Sequence, residues 1–257
     1  TVITDTAQLV DWVAAGAKPK ADWRIGTEHE KILFHRADFR PVAYDGADGV
    51  GSLLGSLCSQ IGEKAQLIME KGQIIGLKDG DGGSVTLEPG GQLELSGAPL
   101  VNLHQTCAET GRHLKHMRAV TTALGLGMLG VGYQPKWARH DIPWMPKGRY
   151  KIMRDHMPKV GRFGLDMMLR SCTVQVNLDY SDEPDMRCKF RTSLALQPVA
   201  TALFANSPFR DGKPSGLLST RAEAWTDTDN VRCGVPACVF DAGFGYQQWI
   251  DYILDVP

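Results

Sequence analysis

The segment Ser84-Val-Thr-Leu-Glu-Pro-Gly-Gly-Gln-Leu-Glu-Leu-Ser96 decides the fold class of this 257-residue chain. Its two short runs of alternating apolar and polar residues are separated by Pro89-Gly90-Gly91. Alternation has the period of a strand and proline with glycine favours a turn, so the segment predicts two strands joined by a bend. A second hairpin is predicted over 66–78, with Lys71-Gly72 at its turn. These hairpin signals predict an α+β fold built on an antiparallel sheet.

Helical and strand-like patterns alternate irregularly on either side of these hairpins. Further strands are predicted over 23–34, 127–133 and 170–179. Helices are predicted over 5–15, 50–62, 101–124, 151–168 with a break at Pro158, and from Ser181 to about 205 with a kink at Pro198. No repeat or linker divides residues 1–257, which are therefore expected to form a single domain. The abrupt end at Pro257 leads us to expect a sequence that is truncated at its C-terminus.

Composition excludes several classes of partner. The formal net charge of −1 provides no basic surface for nucleic acid. No apolar run approaches the ~18 residues of a membrane-spanning helix, so no membrane partner is expected. Six cysteines without a C-x-x-C pair are typical of reduced thiols in a cytosol-like compartment. A transit peptide removed before Thr1 stays an open alternative.

The segment Arg24-Ile-Gly-Thr-Glu-His-Glu-Lys31 carries the first candidate site. On a strand, residues i and i+2 face the same side about 6.5–7 Å apart, so Glu28 and Glu30 present two carboxylates to one face. Like charges held this close require a compensating cation, and hard divalent metals prefer oxygen ligands. A solvated polar face on an edge strand is the alternative.

A second acidic group follows in the hairpin that decides the fold. Glu94 shares a strand face with Gln92 and Ser96, and the intervening bend can bring Glu88 close to that face. Four glutamates on two strands are enough to hold two or three Mg²⁺ ions with open positions for phosphates. A simple surface hairpin is the alternative for this segment taken alone.

The segment Ser171–Asp179 alternates strictly between apolar and polar residues. One side carries Cys172, Val174, Val176 and Leu178, and the other carries Thr173, Gln175, Asn177 and Asp179. A half-exposed sheet would produce the same alternation for solubility alone. Adjacent amides can donate and accept hydrogen bonds together, so Gln175 and Asn177 are candidates for binding a small polar substrate.

Together these segments resemble the plant and proteobacterial type of glutamate–cysteine ligase. The resemblance also rests on Lys189-Phe-Arg191, Leu194–Pro198, Ala202–Pro208 and Trp225–Asp229. It runs from about residue 22 to the end of the chain, with the motifs in family order, although family members are considerably longer.

The resemblance implies a glutamine-synthetase-like architecture, in which a curved antiparallel sheet forms a funnel with helices packed outside. It implies one catalytic domain that joins the γ-carboxylate of L-glutamate to the amino group of L-cysteine through γ-glutamyl phosphate. This reaction is the first step of glutathione biosynthesis. ATP is the co-substrate and Mg²⁺ the cofactor. The implied state is a monomer or homodimer in a bacterial cytoplasm, or in a plastid if the source is a plant.

Carried over residue by residue, the resemblance implies a set of site positions. Glu28, Glu30, Glu88 and Glu94 resemble the metal ligands, and Gln175 and Asn177 lie on the strand expected to line the funnel. Arg191, Arg221 and Arg232 are candidate catalytic cations for substrate carboxylates and the transferred phosphate. Arg154 and Lys189 are weaker substrate-binding candidates.

Three alternatives stay open at this point. A ligase of the same superfamily that uses another amine would have the same fold and metal site. A truncated, catalytically silent module could bind metal or nucleotide without turnover. A purely structural α+β domain would leave the combined motifs unexplained.

Overall fold

The computed structural model describes residues 2–257, and its centre is a seven-stranded sheet. The strands run in the order β2-β3-β4-β5-β1-β6, and β7 also pairs with β1. Every strand pair of this sheet is antiparallel. Their bounds are β1 Ile25–His35, β2 Gln66–Glu70, β3 Gln73–Lys78, β4 Ser84–Leu87, β5 Leu93–Ser96, β6 Leu126–Leu129 and β7 Val174–Leu178. The predicted α+β class with an antiparallel sheet is confirmed.

Eight α-helices accompany the sheet in the described part of the chain. They are α1 Thr6–Ala14, α2 Val50–Ile61, α3 Leu103–Ala123, α4 Gly148–Val160, α5 Gly164–Arg170, α6 Glu183–Leu203, α7 Thr220–Trp225 and α8 Tyr246–Asp255. A separate two-stranded hairpin joins β8 Phe209–Arg210 to β9 Lys213–Pro214. Among residues 2–257, no helix has both the length and the apolar character that crossing a membrane requires.

Local sequence chemistry explains where several elements begin and turn. The side chains of Asp5, Asn102 and Asp182 each accept a backbone N–H at the first turn of α1, α3 and α6. Short polar side chains favour these positions because the first helical N–H groups have no partner inside the helix. Lys71 and Gly72 both have positive φ at the tip of the β2–β3 hairpin, as the tightest hairpin turns require.

The core lies on one face of the sheet. Leu33, Val85, Leu87, Leu93 and Leu95 are buried on that face. Helices α2 and α3 pack against β1, β3 and β6 and complete the core with Leu53, Leu54, Leu57 and Met117. Because alternate residues of a strand point to opposite faces, the polar residues between these leucines lie on the other face. That second face carries the candidate glutamates.

The strand predicted over 170–179 is wrong in its first part. Arg170 is the last residue of α5, and only Val174–Leu178 forms the regular strand β7. The buried Arg170 guanidinium pairs with Asp166 at 3.2 Å and with Asp211 at 2.6 Å. The partner at Asp211 is distant in sequence, so strand periodicity gave no sign of this helical end.

The helix predicted over 151–168 is two helices, and the break lies after Pro158 rather than at it. Helix α4 continues through Pro158 to Val160, and α5 begins at Gly164. The loop around Asp227 packs into the break, where the Phe163 N–H donates to the Asp227 carbonyl at 2.9 Å. A Cβ atom on Gly161 would lie 2.1 Å from the Thr228 carbonyl oxygen. Tertiary packing therefore places the break.

Strand β7 differs from the half-buried strand that its alternation predicts. Val174, Val176 and Leu178 are 67%, 60% and 59% exposed, although they lie on the apolar side of the strand. Only Cys172, just before the strand, is buried. Helices α2 and α3 cover β1, β3 and β6 and leave this apolar side open in the described chain.

Candidate active site

Sheet register brings the candidate glutamates together on the face opposite the core. Glu30 of β1 is the direct partner of Glu94 on β5, and Glu94 is also paired with Thr86 on β4. Glu28 lies two residues before Glu30 on the same face of β1. Glu88 follows β4 at the start of the bend, where its N–H donates to the Gln92 carbonyl at 2.8 Å. The sheet thus gathers carboxylates from two strands and the bend that precedes one of them.

Burial and the neighbouring negative charges both disfavour the ionised carboxylates of this cluster. Burial raises the pKa of Glu30 to about 7, the charge of Glu88 adds to the rise, and the Thr173 N–H that Glu30 accepts at 2.8 Å opposes it. Burial likewise raises the pKa of Glu94 to about 7, with the charges of Glu88 and Glu30 adding to the rise. Ionised carboxylates here therefore require a nearby cation.

The donor set fits a hard divalent cation in its chemistry but not in its present side-chain positions. Within residues 2–257, no three His, Cys, Asp or Glu side chains are arranged so that they could hold a metal ion. Glu28 and Glu30 are instead turned towards hydrogen-bond donors of β7 and the segment before it. Carboxylate oxygens are the ligands that Mg²⁺ prefers, and binding one would require these side chains to rotate.

Gln175 and Asn177 lie on the same face as the glutamates and contact one of them directly. Gln175 is the register partner of Glu28. The Gln175 Nε2 atom donates to the Glu28 carboxylate at 2.8 Å, and the Asn177 Nδ2 atom donates to it at 3.0 Å. The two amides of β7 therefore hold the Glu28 carboxylate, and every residue of this strand is exposed.

Among the cations proposed from sequence, Arg221 is the one that the structure brings to Glu30. It lies on α7, and its backbone N–H donates to the Ser207 hydroxyl at 3.3 Å. Burial lowers the pKa of Arg221, and the negative charge of Glu30 opposes that shift. The buried Nε atom of Arg221 has no hydrogen-bond partner. Arg221 therefore carries a buried donor that is left unsatisfied near Glu30.

Two further cations at the glutamate cluster were not among the residues proposed from sequence. The Lys147 Nζ atom lies 3.6 Å from Glu88 Oε1, and the Arg149 guanidinium lies 3.8 Å from the same oxygen. Burial lowers the pKa of Lys147, while the charge of Glu88 opposes that shift. Their only sequence signal is a pair of cations spaced by one residue after Pro146, in a loop rich in aromatic residues and proline.

Tertiary contacts hold that loop against the acidic hairpin. The Tyr150 hydroxyl donates to the Leu87 carbonyl at 2.9 Å, and the Met145 N–H donates to the Pro89 carbonyl at 3.0 Å. The buried Tyr150 ring also lies within 5.6 Å of Lys147 Nζ and 5.4 Å of the Arg149 guanidinium. Lys147 and Arg149 reach Glu88 because the end of this loop and the first turn of α4 are tied to β4 and the β4–β5 bend.

The Gln92 side chain does not lie on the polar face with the glutamates; it is buried and supports the β4–β5 bend through hydrogen bonds. Its Nε2 atom donates to the carbonyls of Ser171 at 2.7 Å and Met168 at 3.2 Å, and its Oε1 atom accepts the Gly90 N–H at 2.8 Å. The side chain is 3% exposed. It fastens the β4–β5 bend, and with it Glu88, to the end of α5.

The remaining proposed cations have their contacts elsewhere in the molecule. Arg191 donates to the carbonyls of Val239 and Asp241 at 2.7 and 2.5 Å, so it holds the loop that precedes α8. The Arg232 guanidinium lies 3.0 Å from His156 Nε2 and donates to the Pro257 carbonyl at 2.7 Å. The structure does not bring these two residues into contact with the glutamates.

The two weaker substrate-binding candidates also pack against other groups. Lys189 donates to the Asp179 carbonyl at 2.7 Å and to the Asp185 carboxylate at 2.8 Å, with its amine 3.4 Å from the centre of the Trp23 ring. The Arg154 guanidinium lies 4.8 Å from the centre of the Trp144 ring. Both side chains stabilise local packing in this structure.

The chain matches a known protein family and several curated plant proteins over most of its length. A model of the family described as glutamate-cysteine ligase family 2 matches residues 24–257. The chain is 58% identical over 249 residues to the chloroplastic glutamate–cysteine ligase of Brassica juncea, which covers 97% of this chain and 47% of that protein. It is 57% identical to the chloroplastic glutamate–cysteine ligase A of Oryza sativa subsp. japonica, over 97% of this chain and 49% of the relative. An Arabidopsis thaliana relative of the same description is also 57% identical, over 97% and 47%.

The chain therefore spans about half the length of the curated relatives it matches. The family match covers the strands, the β4–β5 bend and the helices that carry the glutamates and the cations beside them. On this match and these identities, the chain belongs to glutamate–cysteine ligase family 2.

Proposed function

We propose that this chain carries the ATP-binding and metal-binding face of a glutamate–cysteine ligase. The proposed reaction joins the γ-carboxylate of L-glutamate to the amino group of L-cysteine, the first step of glutathione biosynthesis. The observation that carries the proposal is one sheet face with Glu28, Glu30, Glu88 and Glu94, bordered by Lys147, Arg149 and Arg221. Its relatives are named as glutamate–cysteine ligases, which supports the choice of substrates.

The four glutamates would hold two or three Mg²⁺ ions. Their oxygen donors suit Mg²⁺, and their mutual repulsion would be relieved by the ions. When bound, such ions neutralise and orient the phosphates of ATP. Gln175 and Asn177 would keep Glu28 in place through their amide N–H groups and could accept from a substrate ammonium group.

The proposed chemistry has two steps. A γ-carboxylate oxygen of glutamate attacks the γ-phosphorus of ATP, which releases ADP and gives γ-glutamyl phosphate. The amine of cysteine then attacks the activated carbonyl carbon, loses a proton, and displaces inorganic phosphate. Phosphoryl transfer depends mainly on positioning and charge neutralisation, so Arg221 and Lys147 would stabilise the transferred phosphate.

Other parts of the expectation stay predictions. They include the funnel shape of a glutamine-synthetase-like sheet, a single catalytic domain, and a monomer or homodimer. Catalytic roles for Arg191 and Arg232 and substrate-binding roles for Arg154 and Lys189 are also predictions. The relatives are named as chloroplastic, which favours the plastid over the bacterial cytoplasm as the proposed compartment.

The proposal is tested by phosphate release from ATP and Mg²⁺ with L-glutamate, in the presence and absence of L-cysteine. MgATP binding to the same chain is measured separately, and the Brassica juncea relative serves as the positive control for the assay. We expect cysteine-dependent release that Glu30→Gln abolishes and that Glu63→Gln, in an exposed turn, leaves unchanged. Release that requires a different amine contradicts the cysteine assignment. A chain that neither binds MgATP nor releases phosphate contradicts the proposed function.

A further inference from the structure

Helix α4 begins without a capping side chain of its own. Lys147 precedes its first residue and makes no side-chain hydrogen bond to the first turn. The first helical N–H, that of Gly148, instead donates to Glu70 Oε1 at 3.0 Å. Glu70 is the last residue of β2, 78 positions earlier in the chain. A carboxylate from the hairpin thus occupies the place where a helix start favours negative charge.

The absence of a side chain at position 148 leaves room for the Glu70 carboxylate. Gly148 is not one of the glycines with positive φ, so its backbone conformation does not require glycine. A Cβ atom at this position would lie 2.7 Å from Glu70 Oε1, inside the closest approach of real side chains. The glycine therefore permits the Glu70 carboxylate to reach the helix start.

The residues on either side of Gly148 are the two cations of the glutamate cluster. Lys147 and Arg149 both approach Glu88 Oε1, at 3.6 and 3.8 Å. The direction of the first turn of α4 determines where these two side chains point. Glu70 fixes that turn from outside, while Tyr150 fixes it from the core through its bond to Leu87.

We propose that Glu70 is a positioning residue for the phosphate end of ATP, acting through the start of α4 on Lys147 and Arg149. The inference rests on the proposed function, because it takes those two cations as ligands of the ATP phosphates. Without the Glu70 contact, the first turn of α4 frays and the two cations spend less time in the binding geometry. The apparent affinity for MgATP falls in proportion to the fraction of time that the two cations spend in the binding geometry.

The test is the dissociation constant of MgATP for the full chain, measured beside that of L-glutamate. Loss of a helix cap lowers the equilibrium constant for forming the first helical turn about fivefold. We therefore expect Glu70→Ala to weaken MgATP binding about fivefold, with L-glutamate binding unchanged. Glu70→Gln keeps an acceptor oxygen and should stay within about twofold of the wild type. Glu63→Ala, in the exposed turn before β2, is the matched control and should have no effect.

A second variant keeps the test decisive if Glu70→Ala fails to fold. Gly148→Ala favours the helix intrinsically, so it should fold, yet its Cβ forces the flexible end of Glu70 to shift and should weaken MgATP binding by no more than Glu70→Ala does. In the Glu70→Ala background, Gly148→Ala should add nothing, because the contact is already gone.

Failure of the inference about Glu70 can be distinguished from failure of the proposed function. Wild-type MgATP affinity in Glu70→Ala and Gly148→Ala, with weakened binding in Lys147→Ala, overturns the role of Glu70 and leaves the proposed function standing. Wild-type affinity in Lys147→Ala and Glu30→Gln as well overturns the proposed function, and the inference falls with it. An equal loss of MgATP and L-glutamate binding in Glu70→Ala would indicate a purely structural role and would also overturn the inference.

Discussion

At the scale of single residues, Glu30 and Glu94 illustrate how clustered carboxylates lower the stability of the fold that carries them. They are direct partners on neighbouring strands, and both are partly shielded from water. Burial penalises the ionised form of both and the charge of Glu88 repels both, so the pKa of each lies near 7; the charge of Glu30 also raises the pKa of Glu94. The folded chain bears this cost at neutral pH whenever no cation is bound.

Glu30→Gln should therefore stabilise the chain at pH 8 in the absence of divalent cations. The pKa of Glu30 is raised from 4.5 to about 7, so at pH 8 it is ionised in both states and only the folded state bears the penalty. We expect the free energy of unfolding to rise by about 1–3 kcal/mol at pH 8, and the gain to vanish below pH ~4.5, where both states are neutral.

Urea denaturation with and without Mg²⁺ measures this effect. The wild type should gain stability on addition of Mg²⁺, because the ion binds only the folded state, and Glu30→Gln should lose most of that gain. Glu63→Gln is the control at an exposed position. A variant that is less stable than the wild type at pH 8 would show that Glu30 contributes to the fold without a cation.

His113 provides a second test at this scale, with the opposite dependence on pH. Burial lowers its pKa to about 4, and the charges of Lys31 and His116 add to the shift. Between pH 6.5 and pH 4 the unfolded chain binds a proton that the folded chain does not, so stability is present above pH 6.5 and is lost as pH falls. The loss amounts to as much as about 3 kcal/mol.

We expect His113→Asn to remove this part of the acid sensitivity. The measurement is the difference in unfolding free energy between variant and wild type from pH 4 to pH 7, which cancels the titration of other groups. His140→Asn is the control, since the His140 side chain is 85% exposed. Parallel pH profiles for His113→Asn and the wild type would contradict the predicted burial of a neutral imidazole.

At the scale of elements, the β4–β5 bend joins the glutamate-bearing face of the sheet to the helices. Gly91 has a φ of 81°, which favours glycine, and Gly90 packs against the end of α5. Gln92 adds hydrogen bonds from the same bend to Ser171 and Met168. The bend therefore determines where Glu88 lies relative to Glu94.

Gly90→Ala should destabilise the chain and disturb the glutamate cluster. Its Cβ would lie 2.2 Å from the Leu169 carbonyl oxygen, and a backbone group cannot rotate away as a side chain can. Overpacking of this kind costs about 1–3 kcal/mol. Gly111→Ala on α3 is the control with the opposite sign, because its Cβ meets nothing within 4 Å and alanine favours a helix by about 1 kcal/mol. Thermal unfolding separates the two, and equal midpoints would contradict the packing argument.

At the scale of the whole molecule, thiol accessibility reports how the elements pack together. All six cysteines are free in the structure. Cys107 and Cys188 are exposed, whereas Cys172 is buried and burial raises its pKa to about 12, with the charge of Glu30 adding to the rise. Reactivity requires both access and a thiolate, so these cysteines should differ sharply in rate.

We expect an aromatic disulfide reagent to modify Cys107 and Cys188 rapidly in the native chain and Cys172 only after unfolding. Mass spectrometry of the labelled peptides identifies the order, and Cys107→Ser with Cys188→Ser should abolish the rapid phase. Rapid native labelling of Cys172 would indicate that the segment before β7 is not packed as the structure has it.

Much of this arrangement could be predicted because it depends on local patterns. The hairpins at 66–78 and 84–96 follow from alternation and turn residues, and the start of α6 follows from the capping preference of Asp182. Glu28 and Glu30 could be proposed as a pair because strand periodicity fixes which face a residue occupies, whereas the pairing of Glu30 with Glu94 came from the sheet register. Family motifs added the link to ligase chemistry.

The contacts that sequence reasoning missed are non-local. Lys147 and Arg149 reach Glu88 because Tyr150 and Glu70 tie the start of α4 to separate strands. The helical end at Arg170 depends on a partner 41 positions away. No window of neighbouring residues contains both partners of such contacts, so periodicity and turn chemistry cannot reveal them.

The sequence by itself determined the α+β class, the antiparallel hairpins, the acidic face and the family, because these depend on period, turn chemistry and motifs that lie within short windows. Only the tertiary structure decided which cations join the glutamates, how Gln175 and Asn177 hold Glu28, and that Arg191 and Arg232 have their contacts elsewhere. The physical reason is that β1 pairs with β5, β6 and β7 at once. A site assembled on such a strand depends on segments from distant parts of the chain, and their meeting is decided by packing.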